Sequence, residues 1–211
     1  MQLVYEYGAA NDTLQQISFK GLDIMARKGL SYDIILSEAV ELIKETGFNG
    51  LSLHKLAERL GVKTSSLYKH ISGKNDLIGG INRLALERLD SALKAAVKGK
   101  ERGEALLALS LAYREYASEN PELYNAIIHM PVWEDESLKR HGMTVIGAFR
   151  QVLEQYGLSE DEIYHYSRCF RSCMHGFISL QNSGFFTKGP SPDESYEHMI
   201  KKLISLVEAE R

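Results

Sequence analysis

Residues 56–70 read LAERLGVKTSSLYKH. Two apolar-periodic pieces meet at Gly61 and Val62, and the second opens on Thr64, Ser65 and Ser66 with Tyr68, Lys69 and His70 directly behind. A core helix carries apolar residues at such a start, and a surface helix carries Glu, Lys and Ala. Hydroxyls, a phenol and cations together suit a partner that is negatively charged and rich in hydrogen-bonding groups.

The neighbouring sequence gives this stretch a scaffold. Upstream, Ser31 is placed to cap a helix whose apolar positions Ile34, Ile35, Ala39, Leu42 and Ile43 follow the 3, 4, 7 spacing of one helix face. Gly47 is expected to end it as a left-handed C-cap. Ser52 caps a short helix over Leu53, Leu56, Ala57 and Leu60, which Gly61 stops. Thr64 starts and caps a third, with Leu67 and Ile71 inward. Ser72 and Gly73 break the chain, and a long helix opens at Lys74 and carries Leu77, Ile81, Leu84, Leu89 and Leu93. Two short helices across a glycine turn, supported by a first, make a helix-turn-helix in a three-helix head.

In that setting the hydroxyls have a use. A recognition helix enters the major groove with its N-terminal residues towards base edges. Thr64, Ser65 and Ser66 are small enough for close approach and can donate or accept hydrogen bonds. Lys69 reaches guanine acceptors or phosphate, and Tyr68 and His70 bond phosphate oxygens. The helix starts at Ser52 and Lys74 offer backbone N–H groups and a positive dipole end. His54, Lys55 and Arg59 read instead as solvated surface charge.

Charge agrees with this assignment in its distribution, not its total. The net charge is -3. Between Ser52 and Lys74, however, Lys55, Arg59, Lys63, Lys69 and Lys74 face Glu58 alone, a local +4. From Gly99 onward the balance is -5. A basic head on an acidic remainder fits polyanion binding joined to a second task.

Past Gly99 further helices are predicted from about Glu101 to Ser118, from Pro121 through Ile128, from about Glu134 to Gln155, from a Ser159 cap to about Asn182, and from an Asp193 cap to about Glu208. The fold class is all-α, with about nine helices. Residues 1–24 are weakly periodic, and the basic run from Met25 to Gly29 reads as a natural start. The expected organisation is therefore an N-terminal extension over 1–24, a head over 25–80 and a body over 81–211. No apolar run approaches a bilayer-spanning length, and two cysteines, Cys169 and Cys173, point to a reducing cytoplasm.

The segment LSLHKLAERLGVKTSSLYKHISGKNDLI resembles the DNA-binding head of the TetR family of transcriptional regulators, over about Ser31 to Gly80. It carries the Gly47-Phe48 break, the Leu56-Ala57 and Leu60-Gly61-Val62 pattern, Leu67-Tyr68 followed by His70, and Lys74 three residues beyond Ile71. Ile71 departs from the Phe that is usual there. The resemblance implies that Thr64, Ser65, Ser66 and Lys69 face bases. It implies that Ser52, Tyr68, His70 and Lys74 hold phosphate, with Lys63 beside them. YASENPELY over 116–124 and Met174-His175-Gly176 resemble the regulatory domain named for a Trp-His-Gly signature, with Met174 in place of the Trp.

From the same resemblance come a body that binds a small, mostly apolar effector, a two-fold homodimer built on the last two helices, and a palindromic double-stranded DNA operator. The dimer would carry its heads about 34 to 36 Å apart. Candidate effector-lining residues are Tyr113, Tyr116, Tyr124, Trp133, Phe149, Phe170, Met174, His175 and Phe177. Arg168 and Arg171 are read as partners of glutamates on a neighbouring helix. The competing class is a small helical enzyme or a metal or redox sensor using His165, Cys169 and Cys173, four apart on one helix face. No further ligand is clustered with them in sequence except His175, which lies on another face, and the cysteines read as small buried hydrophobes. No cofactor, metal or catalytic residue is expected.

Overall fold

The computed structural model describes residues 29–129 and 147–210, and no strand occurs among them. The proposed extension over 1–24, Trp133 and the first part of the helix expected over 134–155 lie outside the described residues. The chain divides into two compact units, one ending at Ile81 and one beginning at Asn82.

In the first unit, α1 (Tyr32–Thr46) starts where Ser31 accepts a hydrogen bond from the Ile34 N–H at 3.4 Å. Its buried stripe is Ile35, Ala39, Val40, Leu42 and Ile43. Gly47 ends it at φ 75°, ψ 160°. That differs from the expected left-handed cap: φ is positive, but ψ is extended, a region open in practice only to glycine. A 3-10 turn, Phe48–Gly50, leads to α2 (Leu53–Arg59), capped by Ser52 through the Lys55 N–H at 3.2 Å. Gly61, at φ 64°, makes the turn to α3 (Thr64–Leu67). The cap position of α3 is Lys63, without a side-chain cap bond, so the expectation that Thr64 is the cap is corrected. Thr64 already has helical geometry, and its hydroxyl is left for other partners.

α2 packs on α1 and on α3, with Leu51, Leu56, Ala57, Leu60, Leu67 and Ile71 enclosed. Arg59 is not the solvated charge that the sequence suggested. Its guanidinium donates to Glu38 and, at 2.6 Å, to Glu45, tying α2 to α1. The hydrogen bond from Arg59 holds the Glu45 carboxyl below its ordinary 4.5. Because Glu45 is largely solvated, replacing Arg59 with Met should cost only about 0.5–1 kcal/mol. The Glu45 share of that is present above pH 4.5 and is lost as pH falls through the lowered value. Denaturation midpoints of parent and variant should therefore converge in acid.

α4 (Lys74–Val97) is one continuous helix. In its first turns the Asp76 carboxylate accepts from the Ser72 N–H at 2.9 Å. In the second unit α5 (Arg102–Glu119) packs on α6 (Pro121–Ile128), α8 (Glu160–Asn182) and α9 (Pro192–Ala209), and α8 packs on α9. Residues 147–153 form α7 within the described chain and run into a 3-10 turn, Glu154–Tyr156. α5 is the central element, with Ala105, Leu106, Leu109, Ser110, Tyr113, Tyr116 and Ala117 buried along one broad face. α8 starts on a Ser159–Glu162 capping box, as the sequence suggested for Ser159. α9 starts on a Ser191–Glu194 box with Pro192 at its first position, which corrects Asp193 as the cap. No described helix is long and apolar enough to cross a membrane.

Candidate nucleic-acid interface and effector recess

The predicted contacts of the head lie outside the core that α2 and α3 enclose. Leu67 and Ile71 anchor the short helix inward, at 0% and 2% exposure. The residues between and beside them are thereby forced outward. Ser65, Lys63, Lys69, His70 and Lys74 are exposed, Thr64 and Ser66 are half-buried, and Tyr68 is 57% exposed. A phenol that exposed does not pack on α1. Lys63, Lys69 and Lys74 meet no carboxylate at ion-pair distance among the described residues, whereas Arg59 meets two. The Ser52 hydroxyl oxygen accepts the α2 cap bond from the Lys55 N–H, which leaves its O–H to donate to a phosphate. His54 stays on the surface beside Glu58 at 3.4 Å.

Among the described residues, the eight predicted to line an effector site do not form one wall. Phe149 and Phe170 are both 0% exposed, with ring centroids 5.8 Å apart. Met174 is 0% exposed too, so these three are core side chains in this structure. Tyr116 donates to the Ala85 carbonyl at 2.8 Å and joins α5 to α4, and burial pushes its pKa up to about 12. Phe177 packs tilted against Phe186 and edge-on to Tyr196, beneath Arg114. The Arg114 guanidinium is held by Gln181 and, at 2.6 Å, by Asp193.

Tyr113, Tyr124 and His175 do come together. The Tyr113 hydroxyl donates to that of Tyr124 at 3.5 Å, and Tyr124 Oη lies 2.8 Å from His175 Nδ1. Burial raises the pKa of both phenols, and the Arg171 charge opposes the rise at each. Both hydroxyls therefore keep their protons near neutrality. Tyr124 Oη and His175 Nδ1 share that one hydrogen bond, and Nε2 is the ring nitrogen it does not engage.

Tyr113 and His175 border a recess of about 300 Å³ between α5, α6 and α8. The other lining residues are Ile128, Arg168, Arg171 and Ser172, none of them among the candidate lining residues from the sequence. Nor are Arg168 and Arg171 paired with glutamates as expected: neither meets a carboxylate among the described residues. A signal for this was present, since no Asp or Glu stands three or four residues from either arginine.

His165 and Cys169 are exposed and Cys173 is half-buried, so the cysteines are not enclosed within the protomer. Burial, and then Cys169, pushes the Cys173 thiol up, which disfavours thiolate chemistry. No cluster able to hold a metal occurs among the described residues.

A helix-turn-helix with an outward face of hydroxyls and of cations that meet no carboxylate among the described residues, followed by a helical body with a recess, fits a DNA-binding regulator. Comparison with known proteins agrees. Residues 35–81 match the bacterial regulatory proteins described as the tetR family, and residues 106–203 match a tetracyclin repressor-like C-terminal domain. An uncharacterised HTH-type transcriptional regulator of Mycobacterium tuberculosis is 30% identical, over 85% of this chain and 82% of its own. The class D tetracycline repressor protein of Escherichia coli is 27% identical over 88% and 83%. Among solved structures, TetR from Acinetobacter baumannii AYE shares the fold with a TM-score of 0.61, at 18% identity over 86% of this chain and 98% of that one. The chain belongs to the TetR family of transcriptional regulators, which are ligand-responsive DNA-binding proteins.

Proposed function

We propose that the protein is a cytoplasmic homodimeric repressor that occupies a palindromic operator and is released by a small effector bound in the body. The observation that carries the DNA assignment is the set of free cations Lys63, Lys69 and Lys74 around exposed Ser65 and Tyr68. Base reading falls to Thr64, Ser65, Ser66 and Lys69. Phosphate binding falls to Ser52, Lys63, Tyr68, His70 and Lys74.

Self-pairing is supported by a stripe of Cys169, Cys173, Gly176 and Leu180 on α8 beside Met199, Leu203 and Leu206 on α9. Leu180 and Leu206 are 45% and 56% exposed, and a Cβ on Gly176 would meet no atom within 4 Å. Ile163, Phe170 and Val207 on the same helices face the protomer's own core. Met174-His175-Gly176 supports the Trp-His-Gly subset for the body. An effector that prefers a different arrangement of the body shifts the population away from the DNA-competent state, and α4 is the continuous element through which it acts.

The test is a gel shift on the DNA upstream of the protein's own gene. Parent protein is expected to shift it at low salt. Lys74→Ala should weaken specific and random DNA alike. It should also lower the slope of log K against log salt by about 2 per dimer, about 0.9 for each phosphate that is no longer neutralised. Absence of any shift by folded parent protein would overturn the reading.

A further inference from the structure

We propose that the recess between α5, α6 and α8 is a carboxylate site and that the effector is a small organic acid. Its carboxylate is held by Arg168 and Arg171, and its apolar part lies against Ile128 and Tyr113. The proposal rests on the effector-responsive reading above and assigns the effector its chemical class.

Arg168, Arg171, Ser172 and His175 are spaced three, one and three residues apart on α8, so they share one face, and all four line the same recess. Two guanidinium groups three residues apart repel each other unless an anion lies between them. Elsewhere in this unit Arg114 is matched by Asp193, and Arg150 by Glu154 and Glu160. Arg168 and Arg171 meet no carboxylate among the described residues, and Arg168 rests only over the Tyr164 ring at 5.9 Å. This surplus of positive charge sits in the part of the chain that is otherwise acidic. Planar guanidinium forks match carboxylate oxygens in geometry as well as charge.

The surrounding groups narrow the ligand further. His175 is fixed from behind by Tyr124, at 2.8 Å, so its other ring nitrogen, Nε2, is a polar group held in a set orientation. The Ser172 hydroxyl stands between the arginines and the histidine in sequence and adds a donor. Ile128, 37% exposed on α6, and the Tyr113 ring supply an apolar side. A volume of about 300 Å³ is at the small end for ligand sites and suits a compact molecule. Inorganic phosphate would answer the charges and leave the apolar side unused, so an organic acid is favoured over it.

The full-length protein is titrated by calorimetry with matched pairs: octanoate and octanamide, benzoate and benzamide, phenylacetate and phenylacetamide. Inorganic phosphate forms a separate arm. At least one acid is expected to bind roughly tenfold or more tightly than its amide. Arg171→Gln should weaken that acid by roughly tenfold to a hundredfold, and Arg171→Lys should restore part of the loss. Arg168→Gln provides a second variant should Arg171→Gln fold poorly, with a melting curve as the control. Equal binding of acids and amides, no binding by any acid, tighter binding of phosphate than of every acid, or an acid affinity unchanged in folded Arg171→Gln and Arg168→Gln each overturns the site. Gel shifts without added acid are run on the same preparations. A parent protein that shifts DNA but binds no acid loses only this proposal, whereas one that shifts no DNA loses the regulator reading itself.

Discussion

Ser65→Glu is expected to weaken operator binding by about a hundredfold or more while leaving the melting temperature of the protein unchanged. Ser65 is exposed on α3, and the helix takes no side-chain cap bond from it. A carboxylate in the first turn of a helix is favourable to the helix, so failure of α3 to form cannot account for the weakening. Set into a groove between phosphates, the same carboxylate is repelled, and like charges brought together across an interface cost several kcal/mol. A dimer carries two such groups, and each 1.4 kcal/mol is about tenfold in affinity. Ser65→Ala keeps the electrostatics and removes one hydrogen-bonding group, so it should alter sequence preference more than overall affinity. Fluorescence anisotropy on labelled operator reads both, and undiminished binding by Ser65→Glu would place α3 away from the DNA.

Phe170→Ala should lower the stability of the body by about 3–5 kcal/mol. Phe170 is 0% exposed and lies against Phe149, itself 0% exposed, so truncation leaves a cavity and removes a ring–ring interaction. For a chain of this size that corresponds to a fall in melting temperature of about 6–20 °C. Phe170 was a natural candidate for an effector wall, and the two roles separate in the experiment. A residue that lines the effector site would change the response to effector at nearly constant stability. A core residue changes the denaturation midpoint first. A folded, equally stable Phe170→Ala protein with an altered effector response would return the residue to the site.

Local features were legible before any coordinates. Ser31, Ser52 and Ser159 cap helices because each precedes an apolar-periodic run, and that information lies within a few residues. The basic, hydroxyl-rich face on α3 follows from the alternation of Leu67 and Ile71 with polar residues. At α9 Asp193 falls inside the first turn, because Ser191, Pro192 and Glu194 already form a complete box. At α3 the tight turn after Gly61 moved the cap one residue upstream, to Lys63.

What stayed hidden was non-local. Arg59 meets Glu38 and Glu45 across 21 and 14 residues, a pairing that depends on how α2 crosses α1. The aromatic set of the body divided for the same reason. Helical periodicity assigns Phe149, Phe170 and Met174 to an inward face, but it does not say whether that face meets a packed core or a recess. The recess was marked by residues of the opposite character, two arginines on α8 without a helical carboxylate neighbour.

The stripe of exposed Leu180 and Leu206 with half-buried Gly176 carries a consequence for dosage. Under the proposed pairing, folding and association are linked equilibria, so protomer stability rises with concentration. At low copy number most chains are single and short of half their operator contacts. Dimer abundance then grows with the square of expression until association saturates. Small changes in synthesis near that threshold would be amplified at the promoter, with no effector present.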